Sequence, residues 1–153
     1  MVPDPQFGRP EPGKVHRDRP AAFGLALRDA RLALVRVSLA DRPAFLDLPG
    51  GAIDPGEDAA GALVREFGEE TGLVVGAGAE VCRASQYFLT GGDDAPVNNR
   101  CTFFETLVRD ADPSLKVEHD HELVWITPDE ALRSVRHDAH AWAIVAWLRQ
   151  ARP

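Results

Sequence analysis

Long apolar runs are missing from this sequence. None approaches the roughly 20 residues that a membrane span requires, and the first residues lack the apolar core of a secretion signal, so a cytoplasmic protein is expected. Cysteine is scarce: there are two, and no CxxC pair. A disulfide scaffold is thereby excluded, and a structural zinc or a thiol nucleophile has little support. Cys82 and Cys101 sit in apparent strands around a loop centred near residue 94 or 95, so Cys101 is expected to oppose Phe88 or a near neighbour and both thiols to be free and largely buried. Positive charge is also in short supply. Seventeen Lys and Arg against 24 Asp and Glu leave a net charge of −7, which disfavours a long nucleic acid, whose phosphates demand clustered cations. No internal repeat and no second domain are visible, and 153 residues at 44% hydrophobic suit one core.

What is present falls into an ordered series. Residues 1–20 carry Pro3, Pro5, Pro10, Pro12 and Pro20 and read as a proline-rich arm, with residues 21–153 as a single domain. Arg9, Lys14, Arg17 and Arg19 make the arm locally basic, suited to a clamp over an anionic substrate, to contact with a second copy in a homodimer, or to plain solvation. AFGLAL and LALVRV, joined at Asp29-Ala30, predict a hairpin, and Phe45 to Leu48 a short third strand. Val74 to Gly78 reads as a connector, Glu80 to Thr90 and Arg100 to Val108 as a second hairpin, and Leu123 to Thr127 as a strand. A short helix from Thr127 or Asp129 and a final helix over 138–150 follow, the latter with Trp142, Val145 and Ala146 on one stripe extended by Ile144, Trp147 and Leu148. Strands and then helices in this order predict an α/β fold with a mixed β-sheet flanked by helices on both sides.

The most informative stretch is GAIDPGEDAAGALVREFGEETGL, Gly51 to Leu73. Asp58 is a natural N-terminal cap and Gly72 a left-handed C-terminal cap, so residues 58–71 are predicted helical. At about 100° per residue Ala60, Leu63, Val64 and Phe67 share the expected buried face. Glu66, Glu69 and Glu70 gather on a second stripe. Like charges at these spacings cost about 0.2–0.5 kcal/mol per pair, and carboxylates in the last turn face the negative end of the helix dipole. Arg65 offsets part of this, and a bound cation is the simplest remaining compensation. An all-oxygen, carboxylate-rich set suits Mg²⁺, or Mn²⁺, better than zinc; the plain alternative is a solvated acidic face.

These residues resemble the Nudix box of the MutT-like hydrolases, G-x5-E-x7-R-E-U-x-E-E-x-G-U with U bulky and aliphatic. Gly51, Glu57, Arg65, Glu66, Glu69, Glu70, Gly72 and Leu73 fill their positions, and Phe67 is the one departure, aromatic where the pattern has an aliphatic residue. The resemblance implies an α/β/α sandwich and a metal-dependent hydrolase that breaks a diphosphate linkage in a nucleoside diphosphate joined to another group, with water as nucleophile. It implies Glu66, Glu69 and Glu70 as metal ligands with the Gly50 carbonyl as a further one, Glu66 as first choice of base, and Arg65 paired with Glu57 to brace the loop, Gly51 and Gly72 being structural. Glu118 and Glu122 are candidates for a base or ligand on a later loop. Tyr87, and Phe88 beside it, are candidates for stacking on a nucleobase, and Arg83, Arg100 and Arg42 for phosphate contact. The alternatives are a non-catalytic sensor of a nucleotide metabolite, a structural acidic domain, and, for Glu118-His119-Asp120-His121-Glu122, a transition-metal site. ADP-ribose, diadenosine polyphosphates, oxidised nucleoside triphosphates, nucleotide sugars and coenzyme A fit this core equally.

Overall fold

A computed structural model describes residues 3–91 and 93–150. The elements run β1 (Gln6–Phe7), β2 (Arg17–Arg28), β3 (Arg31–Val37), β4 (Phe45–Asp47), β5 (Gly50–Ala52), α1 (Ala59–Thr71), β6 (Leu73–Leu89), β7 (Pro96–Ala111), β8 (His121–Ile126), α2 (Pro128–Ser134) and α3 (Asp138–Gln150), with a 3-10 turn over Pro113–Leu115. The strands order as β1-β6-β7-β2-β3-β4, with β5 added to β2 and β8 to β3. The pairing is mixed: β2 lies parallel to β7 and antiparallel to β3 and β5.

Alternation along β2 and β3 explains why both runs are apolar almost throughout. Ala21, Phe23, Leu25, Leu32 and Leu34 face one core, shared with Ala131 of α2 and with Ala139, Ala143, Ile144 and Trp147 of α3. Ala22, Ala26 and Ala33 face the other, under Ala62, Leu63 and Phe67 of α1. A strand covered on both faces has no polar face to show. The side chains toward α1 are small because the helix sits close: a Cβ on Gly24 would lie 2.3 Å from Thr106 Oγ1 and 2.6 Å from Phe67 Cε2. Gly24→Ala is therefore expected to destabilise the fold by about 1–3 kcal/mol through overpacking, read as a lower urea midpoint at unchanged slope.

The β2–β3 hairpin turns at Asp29 and Ala30, with φ of 51° and 61°, so both central residues are left-handed, the conformation that matches strand twist in a two-residue turn. Helix α1 is capped as its ends require: Asp58 accepts from Gly61 N, and Gly72 takes φ 75° with its N–H on Gly68 O.

Five expectations need correction. Val64 is 40% exposed, while Ala62, Gly68 and Glu70 are buried. The buried arc is turned so that Glu66 and Glu70 lie within it, between Ala62 and Phe67, instead of on a separate stripe. In α3, Trp142 is 45% exposed and Val145 is also exposed; Trp142 turns outward onto Phe7 of β1, ring centroids 6.1 Å apart. The Val74–Gly78 connector is strand: β6 is continuous, with register shifts between Val74 and Cys82 that let it bend around α1 and α3. Cys101 opposes Ala84, not Phe88, because the hairpin turns earlier than expected; both thiols are free, Cys101 buried and Cys82 half-buried. β8 starts at His121, two residues before the expected strand. The N-terminal stretch is seated on the domain: Gln6 and Phe7 pair in parallel with Ser85 and Gln86, and strand β2 is already formed at Arg17. Among the described residues no helix is long and apolar enough to cross a membrane.

Candidate active site

Arg65 organises the box. Its Nε and Nη2 donate to the two oxygens of Glu57, each at 2.8 Å, its Nη1 to Glu66 and Glu69 at 3.0 and 3.1 Å, and its Nη2 to the Ala52 carbonyl at 3.0 Å. One planar cation thus ties the loop before α1 to two carboxylates on the helix. The Arg65 hydrogen bonds hold Glu57 down to about 2, and the same bond to Glu57 raises Arg65 itself. Gly51 supplies clearance. A Cβ there would sit 2.7 Å from Glu66 Cδ and 2.9 Å from both carboxylate oxygens, so Gly51→Ala must push the Glu66 carboxylate aside. Because the displaced group is the end of a flexible side chain, stability is expected to change by no more than about 0.5 kcal/mol. Turnover should fall about 10²-fold, the scale of a 1 Å misplacement, and a kcat measurement beside a melting curve separates the two.

Glu70 is the buried member. Its Oε1 accepts from Gly50 N at 2.8 Å and its Oε2 lies 2.9 Å from His121 Nε2, while His121 Nδ1 is 2.8 Å from Asp120. Burial raises Glu70 to about 7, with His121 and the Gly50 N–H pulling the other way. Burial works against protonation of His121, but Glu70 and Asp120 outweigh it and lift the imidazole to about 9. Glu66 is raised too, by burial first and then by the charges of Glu69 and Glu118, against the pull of Arg65. The loop after the 3-10 turn is fixed to the helix end: Val117 N and Glu118 N both donate to Glu69 O, at 3.0 and 3.1 Å. Lys116 Nζ clamps the same loop through the carbonyls of Glu118 and His121, each at 2.5 Å.

The outcome is a crowd of carboxylates, Glu66, Glu69, Glu70 and Glu118, whose direct ion pairs among the described residues are with Arg65 and His121. Such a set, all oxygen and with two members raised by burial and mutual repulsion, fits a hard divalent cation. Glu118, Asp120 and His121 also place one ligating atom each within 4.8 Å of one another.

A cavity of about 490 Å³ opens beside this crowd, between the Gly50–Gly51 loop, the sheet floor and α3. Phe88, Phe45 and the guanidinium of Arg136 form its aromatic side. Arg136 stacks 3.7 Å over the Phe45 ring and is held by both oxygens of Asp47, at 2.7 and 3.3 Å. His137, just before α3, and His140 within it form the facing wall; burial, then the charge of Arg136, holds both down at about 3, so they are neutral. His140 Nδ1 accepts from Leu48 N at 3.1 Å, whereas His137 Nε2 is buried without a partner.

The structure gathers some of the residues singled out by sequence and scatters others. Gly50, Gly51, Glu57, Arg65, Glu66, Glu69, Glu70 and Glu118 come together. Glu122 points the other way along β8 and pairs with Arg36 at 2.6 Å in solvent. Tyr87 alternates with Phe88 and lies on the opposite face, against His16 at 5.2 Å; Phe88 lines the cavity. Arg83 is exposed on Glu80, Arg100 on Asp18, and Arg42 pairs with Asp41 and Asp94. Arg19, Asn99 and His121 are among the residues of the site that lie outside the box. The i,i+2 parity of Arg19 with Ala21 and Phe23 is the signal that places it on the cavity face.

A search of curated proteins finds no match to the chain. Among solved structures, a NUDIX hydrolase from Nitrosomonas europaea is similar with a TM-score of 0.74 at 19% identity, over 89% of this chain and 92% of that one. The MutT protein from Methanosarcina mazei Go1 gives 0.69 at 19% identity, over 90% and 98%. An Ap4A hydrolase from C. elegans, solved as a binary complex, gives 0.66 at 17%, over 87% and 97%. At these identities the likeness is one of fold. The family model for the NUDIX domain matches residues 18–148, from the first core strand to the last helix and across the whole box, and this chain therefore belongs to the Nudix family.

Proposed function

We propose that the chain hydrolyses the diphosphate linkage of a nucleoside diphosphate joined to a further group, with water as nucleophile and Mg²⁺ or Mn²⁺ as cofactor. The observation that carries this reading is the gathering of Glu66, Glu70 and Glu118 around the Gly50–Gly51 loop, with Glu70 and that loop lining a cavity of about 490 Å³ that suits a nucleotide-sized ligand. Glu66, Glu69 and Glu70, with the Gly50 carbonyl, would hold the cation. When bound, it supplies positive charge to phosphoryl oxygens and acidifies water.

The chain's own residues do the rest. Arg65 occupies Oε1 of Glu66 and leaves Oε2 to take the proton of the attacking water, and burial, with the charges of Glu69 and Glu118, raises the proton affinity of this carboxylate above that of an ordinary glutamate, the direction a general base requires. Glu118, docked through its N–H on Glu69 O, is the next candidate for that proton. Arg65 and Glu57 keep the loop and helix in register, so the carboxylates need no rearrangement at the moment of reaction. The aromatic side of the cavity, Phe45 and Phe88, gives the organic part of the substrate a dry surface to lie against.

The test is a product assay on a broad panel including ADP-ribose and the diadenosine tetraphosphate named for the C. elegans structure. Release of a nucleoside monophosphate or phosphate with Mg²⁺ or Mn²⁺, abolished by chelation, is expected. Tight binding of a panel member with no turnover under either metal would replace the hydrolase by a sensor.

A further inference from the structure

Among the described residues the cavity contains one cation that no carboxylate holds. Arg136 is bound by Asp47 on two oxygens, and His121 lies between Glu70 and Asp120. His137 and His140 are neutral. Arg65 is spent on Glu57, Glu66 and Glu69 outside the cavity lining. Arg19 remains. Among the described residues it has a single side-chain bond, Nη1 to Asn99 Oδ1 at 3.0 Å, and no ion pair.

Its position follows from strand register. Arg19 pairs with Asn99 across β2 and β7, and Asn99 with Gln86 across β7 and β6, so the three side chains form one row on the cavity face. The next rows toward α3 are Ala21 with Cys101 and Ala84, then Phe23 with Phe103. Pro20 O, one residue on, accepts from Ile53 N, and Ala22 pairs with Gly51, so the row lies next to the loop that carries the box. Asn99 is buried and holds Arg19 by an oxygen that carries no charge. Burial lowers Arg19, opposed in part by the charge of Glu66. A guanidinium that is half-desolvated, fixed by a neutral amide and left with four unpaired N–H donors is a poor structural element and a good receptor for an anion.

We propose that Arg19, positioned by Asn99, is the phosphoryl-binding residue of this cavity, taking an oxygen pair of the substrate's diphosphate next to the Gly50–Gly51 loop. The assignment rests on the diphosphate-hydrolase reading for its ligand but not for its test. Arg19 neutralises phosphoryl charge from the sheet side, opposite the helix carboxylates, and it explains how a chain of net charge −7 admits an anion into a cavity walled by Glu70, Asp47 and Asp120.

The experiment measures binding, without turnover. Inorganic pyrophosphate with Mg²⁺ is titrated calorimetrically into the wild-type chain, Arg19→Gln, Arg19→Lys and Arg100→Gln. The last removes the same charge from the opposite face of the sheet. Arg19→Gln is expected to weaken pyrophosphate about tenfold or more, the loss of a charge-assisted pair of hydrogen bonds. Arg19→Lys should recover part of that affinity and Arg100→Gln stay within about twofold of wild type. The melting temperature of Arg19→Gln should match or exceed that of wild type, because a desolvated cation is removed; a drop with unchanged pyrophosphate affinity would make the residue structural. Equal affinities in wild type and Arg19→Gln, a loss as large in Arg100→Gln, or no pyrophosphate binding by wild type overturns the proposal. If pyrophosphate binding depends on Arg19 while no panel compound is hydrolysed, this assignment stands and the hydrolase reading falls.

Discussion

Glu66→Gln is expected to lower kcat by about 10³-fold, within the range that general bases and charge-stabilising groups command, while leaving the fold at least as stable as before. Both halves follow from its surroundings. The carboxylate is half-buried, with one oxygen on Arg65 Nη1, its end filling the space a Cβ on Gly51 would need, and the charges of Glu69 and Glu118 raising it. An amide of the same shape keeps the packing, relieves like-charge repulsion and cannot take a proton. In linkage terms a carboxylate raised in the folded state stabilises below its ordinary value of 4.5 and loses that contribution as pH rises through the folded value. At neutral pH the charged form is therefore the costly one. Turnover of the substrate found by the panel, and urea midpoints at pH 7, give the two numbers, with Glu122→Gln as the exposed control expected to keep activity. A Glu66→Gln protein with undiminished kcat would remove this residue from the chemistry.

The second large effect is a loss of stability in acid, driven by two buried histidines at the start of α3. His137 and His140 are held at about 3 against about 6.5 unfolded, so the unfolded chain binds protons that the folded chain refuses. The sign is fixed: their stability is complete above pH 6.5 and falls as the pH drops toward 3. Each ring removes about 1.4 kcal/mol per pH unit in that window, or about 2 kcal/mol between pH 6.5 and pH 5. Glu70, raised to about 7, works in the opposite direction over the same interval, so the wild-type curve shows only the difference. His137→Phe isolates one ring. It keeps the edge contact with Phe88, at 4.9 Å, and removes the unpartnered Nε2. Between pH 7 and pH 5 this variant should lose about 2 kcal/mol less than wild type, and parallel pH dependences of the two proteins would refute the assignment.

The parts of this molecule that were readable beforehand are those written locally. The cap at Asp58, the left-handed Gly72 and the Arg65 bridge to Glu57 and Glu69 all lie within one loop and one helix. The residues that complete the cavity depend on pairings far apart in sequence: Arg19 with Asn99, and Glu118 with the carbonyl of Glu69. The β6–β7 hairpin shows what a register error costs. Cys101 faces Ala84 instead of Phe88, yet the two positions are an even number of residues apart and share a face, so the burial of the thiol was still correct. Tyr87 and Phe88 show the opposite case. They differ by one residue, and only the true register says that Phe88 enters the cavity and Tyr87 meets His16. Glu70 was legible as a carboxylate but not as a buried one, because its burial depends on His121 arriving from β8.

Glu69 serves the site twice, its side chain on Arg65 and its carbonyl accepting both Val117 N and Glu118 N. The stretch from the helix end to Glu118 is therefore a span of set length, closed at both ends on the same residue. One residue added between Pro113 and Lys116 would slide Glu118, Asp120 and His121 out of step with Glu70 without disturbing any strand, whereas the exposed Asp93 and Asp94, closed locally by Thr90 and Arg42, position none of these three residues. Insertions surveyed along the chain should thus be tolerated beside the exposed Asp93 and Asp94 and refused in the short turn after β7, a length restriction that the amino-acid identities there, Pro, Ser and Leu, do not reveal.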